Sequence, residues 1–246
     1  MNISQSLIKA YFAFGACYRA VKRTYIDHEE FPPTDAMMKG RYFEYQVIGA
    51  TRDGDQPAVP RLKSGLPSKE YVDLGFLAEA AKELMSAMGI EPIPESIQER
   101  LEYEDLVGHP DFRAIYDGRM SFFDLKYTET KADDRWNGWG DPASKDDVHI
   151  QAKHYIYLWH AIHGEYIPYY FLVFGKSGWV KLLKMTVSEA TMAGHVVMLQ
   201  SFRQSIKAVE AKGWPVVPEY NKCKKCPYLK TCDKAALIPV AEEIEL

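Results

Sequence analysis

The stretch Gly108–Lys126, GHPDFRAIYDGRMSFFDLK, constrains the fold of this chain more than any other. Phe112–Tyr116 reads as a strand, Asp117-Gly118 supplies turn chemistry, and Met120–Tyr127 reads as the next strand, which together predict a β-hairpin. Side chains alternate along a strand, so Asp124 and Lys126 share one face while Phe123, Leu125 and Tyr127 occupy the other. Asp111 stands at the mouth of the first strand. A carboxylate beside an ammonium, facing a second carboxylate on the neighbouring strand, can hold a divalent cation and a water, as metal-assisted phosphodiester hydrolysis requires.

The Asp-x-Lys pair alone carries little information. About one or two Asp/Glu-x-Lys matches arise by chance in a chain of this composition. Two others are present, Glu129-x-Lys131 in a polar loop and Glu210-x-Lys212 near a helix end. Neither follows a strand with a second carboxylate. The simpler reading of Asp124 and Lys126 is a surface ion pair, and the rest of the chain has to decide between the two.

At 246 residues and 47% hydrophobic composition, the chain can bury a core as one large domain or two small ones. The net charge of −4 does not by itself suggest a nucleic-acid binder. The distribution is more informative. Residues 1–25 carry Lys9, Arg19, Lys22 and Arg23 and no acid, and residues 222–234 carry five lysines against Asp233 alone. Residues 235–246 form an acidic tail. No apolar run approaches the roughly 20 residues that span a bilayer, and the N-terminal apolar stretch lacks a basic leader, so a cytoplasmic protein is expected. Four cysteines in that compartment point to metal rather than disulfides.

Taken in order, residues 4–25 predict a helix capped by Ser4 or Ser6, with Leu7, Ile8, Tyr11, Phe14, Tyr18 and Val21 on one face. A second helix is expected over Asp35–Gly49 and carries Gly40-x3-Glu44. A third runs from Ser68 to Met88 and stops at Gly89, and Leu101–Val107 alternates as a strand. Lys131–Asp147 is polar, with Trp136 and Trp139 available to stack on bases or to pack as a local lid. From Val148 to His163 the pattern is helical, and Gln151 and Tyr155 fall on one face at i and i+4, able to reach a phosphate or a metal-held water. The four histidines of this helix are better explained without a metal. Tyr166–Phe174 and Trp179–Val187 predict a second hairpin whose Gly-Lys-Ser turn lacks the first glycine of a phosphate loop. Ser188–Lys212 predicts a long helix with Met192, His195, Leu199, Phe202, Ile206 and Val209 as its buried stripe.

Three thiols then follow in close spacing, Cys223-x2-Cys226-x5-Cys232, with Cys17 as the fourth cysteine. Four thiolates suit either zinc or an iron–sulfur cluster. Zinc ribbons usually pair two Cys-x2-Cys knuckles, so one cysteine near the start and three near the end favour a cluster. Either occupant would draw the two basic ends together.

In order and spacing these motifs resemble the RecB-like branch of the PD-(D/E)XK nucleases, and most nearly the CRISPR-associated iron–sulfur exonucleases and their phage-encoded relatives. The resemblance spans Ser4-x-Ser6, Cys17, Gly40-x3-Glu44, Pro110-Asp111, Asp124-x-Lys126, Gln151-x3-Tyr155 and the terminal cysteines. It implies an α/β fold: a single restriction-endonuclease-like domain over residues 1–246, with a mixed sheet flanked by helices. It implies further that a cluster, 4Fe-4S in type, is held by Cys17, Cys223, Cys226 and Cys232 and joins residues 1–25 to residues 215–234. Glu44, Asp111, Asp124 and the main-chain carbonyl of Leu125 would form the shell of a Mg²⁺ or Mn²⁺ ion. Lys126 would orient the attacking water or steady the charge on phosphorus, with Gln151 and Tyr155 completing the site. Many relatives carry His where this chain has Glu44, and a carboxylate there makes the shell harder and more anionic. Relatives also often carry Pro where Tyr18 follows Cys17. The implied activity is exonucleolytic cleavage of single-stranded or frayed DNA. The alternative is a DNA-end-binding subunit that acts with protein partners in CRISPR adaptation or phage recombination.

Overall fold

Ten consecutive residues, Arg119–Thr128, form the strand on which the sheet is built. In this computed structural model, which describes residues 1–13, 17–52, 54, 56–135, 138–218, 220–224 and 226–232, the chain divides into two compact units. One is Pro33–Met192; the other combines Met1–Pro32 with Ala193–Leu246. In chain order the elements are β1 (Ile3–Ser4), α1 (Gln5–Phe12), α2 (Tyr18–Tyr25), α3 (Asp35–Ile48), α4 (Lys69–Ala87), β2 (Leu101–Tyr103), β3 (Leu106–Gly108), β4 (Phe112–Tyr116), β5 (Arg119–Thr128), α5 (Asp146–His163), β6 (Tyr169–Gly175), β7 (Val180–Met185), α6 (Glu189–Ala211) and α7 (Tyr220–Cys223).

The expected hairpin is present. β4 and β5 pair antiparallel with Phe112 opposite Phe123, and Asp117 and Gly118 both take positive φ in the turn. β5 then pairs in parallel with β6, Asp124 beside Phe171, and β6 pairs antiparallel with β7, giving the mixed order β4-β5-β6-β7. The side chains of Phe112, Phe123, Leu125, Tyr170, Leu172 and Phe174 bury one sheet face against Phe43, Val47 and Ile48 of α3 and Leu74, Ala78, Ala81 and Met85 of α4. The other face carries Phe122, Asp124 and Tyr169, and α5 covers it with Tyr155 and Trp159. β3 lies close beneath α5: a Cβ at Gly108 would run into the Tyr155 ring, so only glycine fits there.

Several boundaries differ from expectation. Residues 4–25 are two helices, not one: α1 ends at Phe12, and α2 starts after Cys17 in extended backbone (φ −88°, ψ 109°). Ser4 is the cap of α1, accepting from the Leu7 amide at 3.2 Å. Leu101–Val107 is likewise no single strand but the β2–β3 hairpin, turned at Glu104, whose φ is 53°. Glu104 and Asp105 offered no glycine to mark that turn. The polar segment after β5 is tied down rather than loose. Lys181 Nζ donates to the carbonyls of Ala132 (2.6 Å) and Trp139 (2.7 Å), and the Trp139 ring packs on Phe171 at 5.5 Å. Phe14, Trp136 and the acidic tail 235–246 lie outside the described residues.

In the unit formed by the two chain ends, the α6 stripe expected from the sequence is buried at Leu199, Phe202 and Ile206, and Tyr11 of α1 meets Phe202 edge-on at 5.2 Å. Tyr228 fastens the C-terminal segment to the N-terminal one. Its ring lies under the Arg23 guanidinium at 4.0 Å, and its hydroxyl sits 3.0 Å from Thr24 Oγ1.

Candidate active site and thiol cavity

Asp124 is the centre of the candidate site. Strand alternation turns it toward α5, where it is 2% exposed, a burial that an isolated carboxylate does not tolerate without partners. Its Oδ1 accepts from Gln151 Nε2 at 2.5 Å and from the Tyr169 hydroxyl at 3.0 Å. Its Oδ2 faces the Lys126 ammonium as an ion pair. The pair is therefore not the surface ion pair of the simpler reading. One partner is buried, and about a third of the Lys126 side chain remains exposed.

Asp111 follows Pro110 at the mouth of β4 and is also buried. Its Oδ2 accepts from the Leu125 amide at 2.7 Å, which fixes the carboxylate beside the backbone between Asp124 and Lys126. Burial raises its pKa well above the usual carboxylate range, and the charges of Asp124 and Glu44 raise it further. Burial alone would lower the Lys126 pKa; Asp124 and Asp111 outweigh it, so the ammonium stays charged. Asp124 and Glu44 are thus close enough to Asp111 to repel it, and Lys126 offsets part of that repulsion.

Glu44 reaches this group from α3 through Gln98, whose Nε2 donates to Glu44 Oε1 at 2.5 Å and to Asp111 Oδ1 at 3.4 Å. Sequence reasoning missed Gln98, which lies between two short elements and belongs to no motif. It also missed Tyr169. The Tyr155 hydroxyl, expected to face a phosphate or water, instead donates to the His109 carbonyl at 3.1 Å, and its ring stacks on Tyr169 at 5.8 Å. Tyr155 so braces the Gly108–Asp111 turn. Among the described residues the histidines of α5 form no group that could hold an ion: His160 stacks on Tyr166, and His163 packs tilted against Trp159 at 3.8 Å.

The donor set suits a hard divalent cation in type, with the carboxylate oxygens of Glu44, Asp111 and Asp124 brought near one another. As they stand, no three His, Cys, Asp or Glu side chains among the described residues form a group that could hold an ion. The carboxamide of Gln98 lies between Glu44 and Asp111.

The cysteines come together. Cys17, Cys223, Cys226 and Cys232, none of them in a disulfide, line one cavity of about 350 Å³, walled by apolar residues such as Ala20, Val21, Val217 and Leu229. The Cys226 thiol is pushed up by burial, and by the proximity of the other three. Four cysteine thiols around one cavity are the ligand type that zinc or an iron–sulfur cluster takes. Part of the positive charge of the N-terminal segment is already partnered within this unit. Lys22 pairs with Asp27 and Arg23 with Glu29, each at 2.6 Å, and Arg19 donates to the Trp214 carbonyl.

No helix among the described residues is long and apolar enough to cross a membrane. No family model and no curated protein sequence matches the chain. Among solved structures, SSO0001 is similar at 10% identity over 94% of this chain and 85% of that one, with a TM-score of 0.40, too low to carry weight. A Eubacterium rectale protein named "putative exonuclease" aligns over 100% of this chain and 91% of its own at 14% identity, with a TM-score of 0.66, so the mixed α/β fold described above is shared with a protein bearing a nuclease's name.

Proposed function

We propose that this chain is a metal-dependent deoxyribonuclease of the PD-(D/E)XK type, degrading DNA from single-stranded or frayed ends, with an iron–sulfur cluster as a structural element. The observation that carries the reading is the arrangement around Asp124. A buried carboxylate is held by Gln151 and Tyr169, ion-paired with a partly exposed lysine, and accompanied by Asp111 and Glu44. A structural ion pair does not need two further carboxylates crowded beside it, and the crowding costs stability unless a cation relieves it.

A bound Mg²⁺ or Mn²⁺ would supply an activated water and polarise the scissile phosphate. Glu44, Asp111, Asp124 and the Leu125 carbonyl are the oxygen groups that would hold it. Gln151 and Tyr169 keep Asp124 oriented, so that one of its oxygens points away from their donors. Lys126, charged and partly exposed, can meet a non-bridging phosphate oxygen and offset the negative charge that develops on phosphorus. The four thiolates would hold the cluster between the chain ends, an attachment that contributes folding energy rather than chemistry. Lysines such as Lys222 and Lys224 would give the backbone-directed, salt-sensitive binding expected of a sequence-tolerant enzyme.

The test is digestion of end-labelled single-stranded and duplex DNA with Mn²⁺, comparing the wild type with Asp124→Asn. Progressive shortening by the wild type and none by the variant is the expected result. Equal digestion by both would sink the proposal, and DNA binding without cutting by the wild type would favour the end-binding alternative.

A further inference from the structure

Gln98 has three properties that its surroundings do not require. Its backbone is left-handed, with φ at 52°, a conformation that costs a non-glycine residue energy. It is nevertheless held firmly. The Gln98 amide donates to the Asp111 carbonyl at 2.9 Å, the Ile93 amide to the Arg113 carbonyl at 2.8 Å, and the Arg113 amide to Ser96 Oγ at 2.8 Å. The segment 93–98 is thereby laced along the start of β4. Finally, its carboxamide nitrogen, a donor with two hydrogens, stands between Glu44 and Asp111 at 2.5 Å and 3.4 Å.

Taking Glu44, Asp111 and Asp124 as cation ligands, as proposed above, we infer that Gln98 is a positioning residue that takes the place of the cation in the metal-free site. Its N–H groups point the positive end of the amide dipole at two carboxylates that would otherwise repel each other, which keeps them converged. The carboxamide nitrogen fills the position between Glu44 Oε1 and Asp111 Oδ1, so an ion bridging those two oxygens would have to take the nitrogen's place. Metal entry therefore has to displace the Gln98 side chain, and each of its hydrogen bonds to a carboxylate is lost against the binding. The strained but anchored backbone keeps the side chain within reach, so that it returns when the ion leaves. Gln98 would then set how tightly the site holds metal, without itself acting on DNA.

The test is Mn²⁺ binding by calorimetry without DNA, on wild type, Gln98→Gly and Gln98→Asn. Glycine accepts φ of 52° without strain, so that variant removes the side chain and spares the backbone. Asparagine tolerates the same φ but is one methylene shorter. Gln98→Gly is expected to bind Mn²⁺ about tenfold tighter, the effect of losing one competing hydrogen bond to a charged group. Gln98→Asn should fall between the two. The rise in melting temperature on adding Mn²⁺ should also be larger for Gln98→Gly than for wild type. Unchanged or weaker binding by Gln98→Gly would overturn the inference, since a fixed orienting residue would lose affinity when removed. Asp124→Asn in the same calorimeter separates the two readings. If its Mn²⁺ binding equals wild type, the metal site itself is misplaced and the inference falls with it. If its binding is lost, the Gln98 result alone decides.

Discussion

Gln151 and Asp124 meet at 2.5 Å, the one on α5 and the other on the central strand β5 beneath it. This contact couples a helix position to a strand position 27 residues earlier, and Tyr169 adds a second donor to the same oxygen. Replacing Gln151 by Leu would leave Oδ1 with one donor and let the carboxylate rotate. We expect kcat for DNA degradation to fall by roughly 10- to 100-fold, the usual cost of losing a group that orients a metal ligand, with little change in KM. Tyr169→Phe should cost less, since the ring still stacks on Tyr155. Steady-state kinetics on a labelled oligonucleotide checks both, and a KM effect alone would assign Gln151 to substrate binding instead.

Lys39 presents a different problem, that of a nearly buried cation. Its side chain is 4% exposed and lies 2.6 Å from Asp35, 2.9 Å from Glu70 and 3.0 Å from Glu129, while Lys176 pairs with the last two from outside. The group joins α3, which carries Glu44, to α4 and to the end of β5. Lys39→Met keeps the stem and removes the charge, leaving Asp35 without that partner and Glu70 and Glu129 to Lys176 alone. Stability should fall by more than the roughly 1 kcal/mol of an exposed pair, because the lysine itself is buried while its partners are solvated. Urea unfolding measures this, and a loss below about 1 kcal/mol would show the cluster to be no stronger than a surface network.

The parts of the site that could be read in the sequence are those with local signatures. Asp117-Gly118 marked the β4–β5 turn, alternation placed Asp124 and Lys126 on one face, and the i, i+4 spacing put Gln151 and Tyr155 on one side of α5. What escaped notice depends on long-range register or on backbone strain. Tyr169 reaches Asp124 only because β6 pairs in parallel with β5, Phe122 beside Tyr169, after a crossover through α5 that no local pattern fixes. Gln98 carries a positive φ without glycine or asparagine to announce it, and its partners lie 13 and 54 positions away. The hydroxyl of Tyr155 illustrates a further limit. Its face was correctly inferred, but a tyrosine buried near a backbone carbonyl satisfies that carbonyl first, because an unmade buried hydrogen bond is costly.

His154 gives the fold a pH dependence of its own. It is fully buried on α5 with Nε2 2.9 Å from the Val107 carbonyl, so the neutral ring donates there. Burial lowers its pKa from 6.5 to about 4, and the carbonyl only partly offsets that. Between those two values the unfolded chain binds a proton that the folded one does not. The stabilising contribution is therefore complete above about pH 6.5 and is lost progressively as the pH falls toward 4, amounting to about 3 kcal/mol. His154→Leu should unfold at lower denaturant at pH 7.5, having lost the bond to Val107, but its stability should fall less between pH 6.5 and 4.5. Parallel slopes for wild type and variant over that range would assign the acid sensitivity to other groups.

The thiol cavity yields the prediction with the most direct readout. Cys17 comes from the N-terminal segment and Cys223, Cys226 and Cys232 from the C-terminal one, so whatever binds all four ties together two pieces of chain that are remote in sequence. Such a link draws its free energy from metal binding, which makes folding of this unit dependent on the occupant. Protein purified without oxygen should be brown, with broad visible absorption, and Cys226→Ser should lose the colour and much of its thermal stability. Asp124→Asn should keep both. A colourless wild type containing about one zinc per chain would replace the cluster with a single ion, and the cavity would then have to close around it to reach tetrahedral Zn–S distances of roughly 2.3 Å. Iron, sulfide and zinc analysis of the same preparation distinguishes these outcomes, and a Cys226→Ser variant as stable as wild type would leave the four thiols without a structural role.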